Sequence, residues 1–361
     1  MKKYLSMLIV ILLIACNSDE FKSKITTEDL GTLEPNKKLQ RLSKFNNFGD
    51  IFTLKRKVQL ETTLQNVMGR PWSVIIQNDR IIIIDLITAK SIFVFSGSGR
   101  YIGTIGRVGD GPGEFRSPNL AALVSDKLFI YDPILSRISV FSVNDRNYLR
   151  SWGVRNFYES MTTVNGKLAM LNRVGQGYET DFEIFDSLGN KISSSTFPKS
   201  LSEEKRRFMF GGSFRLSSYN NKLLYIGADE FKIICYDINA GKVLWISQEI
   251  PSVLKVPKEL PPNFGELGIN RIKWLKNNYS SLLDFFCFNN GLIIVLADDY
   301  FLLYDNNGNF ITAVKSPNDK DYFTTDGNYL YEITEPYIND NKDVVNPKVY
   351  VYEVANAELN Y

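Results

Sequence analysis

The sequence contains no histidine. Imidazole is the usual general base near neutral pH and a common ligand of zinc, copper and haem iron, so Ser-His-Asp triads and histidine-ligated metal centres are excluded. Chemistry on this chain would have to run on carboxylates, Lys, Tyr, Cys, backbone groups or a hard cation such as Ca²⁺. Cysteine is scarce, with three in 361 residues. Cys235 and Cys287 sit in apolar, strand-like runs and read as buried free thiols. A surplus of charge is also missing, with 42 Lys and Arg against 40 Asp and Glu. Lys2 and Lys3 lie in a segment expected to be removed, which leaves the two signs equal and no electrostatic case for nucleic acid. No Gly-Lys-Ser/Thr motif marks a phosphate loop, no Ser-x-Asp-x-Gly-x-x-Trp box marks a sialidase, and helix-period patterns are nearly absent.

What is present begins with "MKKYLSMLIVILLIAC": two lysines, an apolar stretch from Leu5 to Ile14 broken only by Ser6, and a small residue before Cys16. The run is shorter than the roughly 20 apolar residues a spanning helix needs and reads as an export signal. Leu13-Ile14-Ala15-Cys16 resembles the bacterial lipoprotein box. That resemblance implies removal of residues 1–15, acylation of Cys16 and stable attachment to a membrane. Asn17, rather than Asp, follows the cysteine, which in that family implies the outer membrane. Residues 16–50 are polar and charged, with a short helix expected around Lys37 to Phe45, and suit a tether.

The body repeats one phrase: an apolar strand, a polar gap, a second apolar strand ending in an aromatic, a tight turn and a further strand. Copies include "IIIIDLITAKSIFVFSGSGRYIGTIG" and "LIIVLADDYFLLYDNNGNFITAV". Aligned on Phe95, Phe141, Phe185, Tyr236, Tyr304 and Tyr352, six units follow at intervals of 46, 44, 51, 68 and 48 residues. The long fourth interval holds an insertion at about Pro251 to Ser281. Runs of Ile, Val, Leu, Phe and Tyr, with turns such as "FDSLGN" and "YDNNGN", have strand and hairpin chemistry. A 40–50-residue period with four strands per unit predicts an all-β, six-bladed propeller over residues 51–361. The sixth unit ends too near the C-terminus to make its own outer strand. The unpartnered stretch Ile51–Leu60 is therefore expected to complete it and close the ring.

"IGRVGDGPGEF", Ile105 to Phe115, then leads from the outer strand of the first blade to the inner strand of the second, around Leu120 to Val124. Pro112 lacks an N–H and no helix follows, so the loop turns the chain and does not cradle phosphate. With the "RSP" and "KLFIYDPILSRISVF" that follow, it resembles the NHL-type repeat. The whole domain is similar to the six-bladed propeller lipoproteins of Gram-negative bacteria, a resemblance that implies fold far more than function.

In such a ring the loops between blades, and those between second and third strands, open on one end. Arg70, Asp110, Glu114, Arg116, Asn119, Glu159, Arg215, Asp298 and Asp299 map there as candidate ligand-facing groups. In the insertion, Phe264, Arg271, Trp274 and Tyr279 suggest either a mixed aromatic and basic contact surface or a lid that packs over the ring. The expected function is a lipid-anchored, non-catalytic propeller that binds a protein, peptide or glycan through its loop face, without a cofactor. The alternative is a Ca²⁺-dependent hydrolase of lactonase type with its ion at the channel floor. A weaker third reading is a structural part of an envelope complex.

Overall fold

The computed structural model describes residues 23–24, 30, 33–173, 180–196, 214–227, 230–256, 261, 263–264, 267–268, 270–318 and 321–355. Residues 1–15 and Cys16 lie outside them. Among the described residues no helix is long and apolar enough to cross a membrane.

Six four-stranded antiparallel blades form the ring. Blade 1 runs from its innermost strand, Ser73–Gln77, through Arg80–Asp85 and Ser91–Ser96 to Tyr101–Ile105. The innermost strands of blades 2 to 6 are Leu120–Val124, Tyr158–Val164, Phe214–Tyr219, Leu282–Cys287 and Tyr322–Thr325. Each innermost strand touches the next, and the sixth touches the first.

Every blade is covered on both faces by its neighbours, which explains why its strands read as continuous apolar runs. In Arg80–Asp85, side chains alternate across the sheet with period two. Ile81 and Ile83 enter the core shared with blade 6, and Ile82 and Ile84 enter the core shared with blade 2. The interior is accordingly a series of wedges between blades.

The turns between third and fourth strands lock neighbouring blades. Gly189 in blade 3 and Gly308 in blade 5 have φ of +81° and +83°, which glycine adopts without strain. A Cβ at these positions would also come within 2.7 Å of Trp152 and 2.6 Å of Trp245, on the outermost strands of the preceding blades. "FDSLGN" and "YDNNGN" thus need glycine twice over, for turn geometry and for the indole laid across it.

The ring closes as the sequence requires. Phe52–Gln59 pairs antiparallel with Lys348–Val354 and becomes the outermost strand of blade 6, with Phe52 opposite Val354 and Gln59 opposite Lys348. The Ala355 N–H donates to the Ile51 carbonyl at 2.5 Å, so the two ends of the ring-forming chain meet.

The segment before that strand is fastened to the ring. Ser23–Lys24 pairs in parallel with Ser195 and Thr196 on the outer edge of blade 3. At blade 5, the Asn36 N–H donates to Asp305 Oδ2 at 2.7 Å, and Asn307 Nδ2 donates to the Glu34 carbonyl at 2.6 Å. A 3-10 helix, Leu39–Lys44, and a single turn of α-helix, Phe48–Ile51 (α1), then bury Leu39, Leu42, Phe48 and Ile51 in the core between blades 5 and 6. The polar segment 16–50 therefore ends in a docked stretch.

Candidate functional site

The loop end is organised by buried aspartates at the ends of second strands. In blade 2, Asp132 Oδ1 accepts from the N–H groups of Ile134 and Leu135 at 3.0 and 3.1 Å, while Oδ2 accepts from those of Arg116 and Ser117 at 2.7 and 2.8 Å. Asp85 does the same in blade 1 for Thr88 and Gly69, at 2.8 and 2.7 Å. Each carboxylate folds its own turn and pins the incoming interblade loop. The turns are thereby fixed with Ile87 and Ile134 pointing outward, 60% and 70% exposed.

The glycine-rich loop after blade 1 is a self-satisfied unit. Arg107–Val108 and Glu114–Phe115 pair in parallel, and Phe115 is fully buried between blades 1 and 2. Gly106, at φ +72°, leaves room for that phenyl ring, which a side chain would overlap. Arg116 forms a two-pronged ion pair with Asp110, its Nη2 donating to Oδ2 at 2.7 Å. That bond holds the Asp110 carboxyl below its ordinary range. Glu114 accepts from the Gly111 N–H and from Arg107 Nε, both at 2.8 Å, and these bonds lower its pKa in that order. Arg137 donates to the carbonyls of Asp110, Gly111 and Glu114. Three of the charged groups expected to face a ligand, Asp110, Glu114 and Arg116, are thus engaged in shaping their own loop.

The other candidates are distributed around the ring. Arg70 pairs with Glu335 at 3.1 Å and lies over the Tyr322 ring of blade 6. Asp298 Oδ1 accepts from the Ser281 N–H at 2.8 Å, an aspartate clamp in blade 5, and Asp299 pairs with Lys315 at 3.1 Å. Asn119 accepts from Trp72 Nε1 at 2.8 Å. The aromatics of the insertion turn inward. Phe264 and Tyr279 are buried and Trp274 packs edge-on against both, which makes a small private core with Leu275 on the helix Asn270–Asn278 (α2). A hydrophobic cluster on a long excursion buries itself before it offers its aromatics to a partner. Arg271 lies on the same helix, half-buried.

Two of the candidates come together in the channel. Glu159 and Arg215 lie on the innermost strands of blades 3 and 4, and Asp284, on that of blade 5, joins them. Burial lowers the pKa of Arg215, against the opposing charges of Asp284 and Glu159. Burial raises that of Asp284, against Arg215. Arg215 Nη1 and Nη2 also donate to the carbonyls of Phe214 and Leu283 at 3.0 and 3.2 Å. Among the described residues no group of three or more acidic or cysteine side chains is arranged to hold a metal ion. Cys235 and Cys287 are free and buried, and burial pushes both thiols up to about 12.

A second buried acid lies in blade 6. Burial raises the Glu332 carboxyl to about 7, opposed by the Tyr352 hydroxyl, which donates to it at 2.5 Å, and reinforced by Asp321. The folded state therefore holds a proton that the unfolded chain releases above pH 4.5, so stability falls as pH rises from about 4.5 to about 7. Glu332→Gln mimics the protonated acid. It is expected to recover about 1–2 kcal/mol at pH 8, after allowance for screening by water, and nothing at pH 4. Denaturant midpoints of both proteins across that range check it; equal pH slopes would refute it.

Sequence reasoning missed two exposed aromatics at the loop end. Trp72 and Phe157 each precede an innermost strand, in blades 1 and 3, and are 45% and 52% exposed. Asn119 holds the same position in blade 2. The indole N–H is taken by Asn119, and the Phe157 ring meets Tyr131 edge-on at 6.4 Å. With Ile87 and Ile134 they form an apolar arc over blades 1 to 3. Aromatic residues in the polar contexts "RPWSV" and "RNFYES" were the available signal, as the single charge in "LLDFFCF" was for Asp284.

Residues 32–244, more than half of the chain, match the family model described as a domain of unknown function, DUF4934. No curated protein matches. Among solved structures, the fold is similar to that of a DUF4221-family member from Bacteroides vulgatus, with TM-score 0.65 and 12% identity over 85% of this chain and 98% of that one. It is also similar to a protein of Bacteroides fragilis named as exported, with TM-score 0.60 and 14% identity over 85% and 96%.

Proposed function

The chain belongs to the DUF4934 family, and from that premise we propose an exported, lipid-anchored, non-catalytic propeller that binds a protein or peptide through its loop end. The observation that carries this reading is the apolar arc of Trp72, Ile87, Ile134 and Phe157. The turns that carry Ile87 and Ile134 and the loop that leads to Trp72 are pinned by Asp85 and Asp132, and Phe157 is held edge-on by Tyr131, so the side chains stand exposed by construction rather than by local fraying. Exposed aromatic and aliphatic groups held on a rigid frame are what an interface core requires, and a large aromatic with its polar atom already satisfied offers contact at low entropic cost. A glycan stacked on Trp72 is the neighbouring reading, but the aliphatic Ile87 and Ile134 favour a polypeptide.

The export-type N-terminus and the lipoprotein-like Cys16 support placement in the cell envelope at the outer membrane, and the exported Bacteroides fragilis protein of similar fold agrees. The NHL-like kinship of the blade 1–2 junction is part of the same proposal, supported by Phe115 at the blade interface. A Ca²⁺-dependent hydrolase gains no comparable support, because Glu159 and Asp284 both act on Arg215 and no third acid joins them among the described residues.

The test is capture of envelope proteins by the acylated chain, with Trp72→Ser/Phe157→Ser compared against Asn239→Ser at the opposite end of blade 4. We expect the captured set to be lost from the double variant and kept by the control. An identical set with all three proteins would remove the arc from consideration.

A further inference from the structure

We propose that the docked 3-10 helix and the outermost strand of blade 6 form a basic rim that binds the phosphate headgroups of an anionic membrane, with Lys38, Arg41 and Lys44 at its centre. The choice of a membrane among polyanions rests on the lipid-anchor reading of Cys16; the basic rim itself does not.

Charge is segregated along the chain. Residues 37–57 hold seven Lys and Arg against one acid, Asp50, in a sequence balanced overall at 42 against 40. Lys37, Lys38, Arg41 and Lys44 come from the helix and its entry, and Lys55, Arg56 and Lys57 from the strand Phe52–Gln59. All seven are exposed.

The helix sorts them by its period. With three residues per turn, side chains three apart stand in one column. Leu39 and Leu42 form the buried column, in the core between blades 5 and 6. Lys38, which enters the helix with helical backbone angles, forms a solvent-facing column with Arg41 and Lys44. At about 2.0 Å of rise per residue the three charges follow one another at intervals of about 6 Å. That spacing is below the Debye length of about 10 Å at 0.1 M salt, so an anionic surface meets them as one patch.

The row is fixed in place and lacks acidic partners. Thr312 Oγ1, on the outermost strand of blade 5, donates to the Phe45 carbonyl at 3.2 Å, and Gln40 Nε2 donates to Asp305 Oδ2 at 3.4 Å. Among the described residues no acid lies within ion-pair distance of Lys38, Arg41 or Lys44. On the neighbouring strand Lys55 is paired with Glu353 at 2.9 Å, and Lys57 lies over the Tyr350 ring at 5.2 Å. Cations already held in a row lose little freedom on meeting an anionic surface. Each such cation strengthens partitioning about fivefold.

Cosedimentation with vesicles tests the proposal on the chain from residue 16 onward carrying Cys16→Ala, so that no acyl chain contributes. Binding is expected to vesicles of equal parts phosphatidylcholine and phosphatidylglycerol, to weaken as salt is raised, and to be absent on pure phosphatidylcholine. Lys38→Gln/Arg41→Gln/Lys44→Gln should weaken it about tenfold or more. Arg100→Gln/Lys242→Gln/Lys342→Gln removes the same charge from exposed positions elsewhere and should stay within about twofold of the parent. Thermal unfolding midpoints confirm that all three proteins are folded. Equal binding by the parent and the first variant, or equal losses in both variants, overturns the basic rim. Binding of a single-stranded oligonucleotide that the first variant loses, without binding to vesicles, overturns the membrane in favour of nucleic acid. The anchor is tested separately, by flotation of the acylated parent and of Cys16→Ala on pure phosphatidylcholine vesicles. No difference there, with headgroup binding intact, overturns the anchor reading alone.

Discussion

A chain lacking residues 1–60 should fail to fold, whereas a chain lacking only residues 1–32 should retain the propeller. The first truncation removes Ile51, Phe52, Val58 and Leu60, all buried, together with the outermost strand of blade 6. At about 1.5–3 kcal/mol for each fully buried side chain, the loss approaches the whole 5–15 kcal/mol that stabilises a typical protein. It also leaves Lys348–Val354 as an open edge, available to pair with other chains. The expected readout is a largely disordered far-UV circular dichroism spectrum or soluble aggregates in size-exclusion chromatography. A rescue separates loss of closure from loss of sequence. Because Phe52 pairs with Val354, residues 51–60 can be re-attached after Ala355 through a two-residue Asn-Gly turn, whose twist suits antiparallel neighbours. This permuted chain should regain monomeric, cooperative folding. A stable ring in the truncated protein, without rescue, would refute closure by the N-terminal strand.

The second large effect is expected at Arg215. Replacing it with methionine leaves the Asp284 and Glu159 carboxylates in the channel without the cation whose field both share. Removing one partner of a buried charge cluster typically costs about 3–5 kcal/mol, because the remaining charge is uncompensated. Arg215→Met should therefore lower stability by about that amount at pH 8. Asp284, already raised by burial, titrates higher still without the guanidinium. A carboxyl with an elevated native pKa binds its proton in the folded state first, so the deficit should shrink as pH falls below 8. Asp284→Asn in the same background should restore part of the loss, and the double-mutant cycle isolates the coupling. A pH-independent loss, or a double variant no more stable than Arg215→Met, would show that the channel charges do not interact as described.

These experiments fall on the two levels at which the protein is specified. Local alternation, turn chemistry and the spacing of Phe95, Phe141, Phe185, Tyr236, Tyr304 and Tyr352 were enough to count six blades and to place Leu120–Val124 as an inner strand. The need to cover the last edge was enough to assign the strand at 51–60 to blade 6. Those properties are local, or follow from a count, because a strand announces itself by period two and a propeller by its repeat. The fate of individual polar groups is of another kind. Asn119 meets Trp72 across 47 residues, Arg215 meets the Leu283 carbonyl across 68, and Asn36 meets Asp305 across 269. Asp110, Glu114 and Arg116 carry the same charges whether they pair with one another or face a ligand, and only the fold of their loop decides. Phe264 and Tyr279 are equally apolar on a surface or in a private core. The sequence by itself determined a ring of six blades and its closure; the tertiary structure alone decided which side chains are spent inside it and which remain exposed, because pairing and burial depend on distances between residues far apart in the chain.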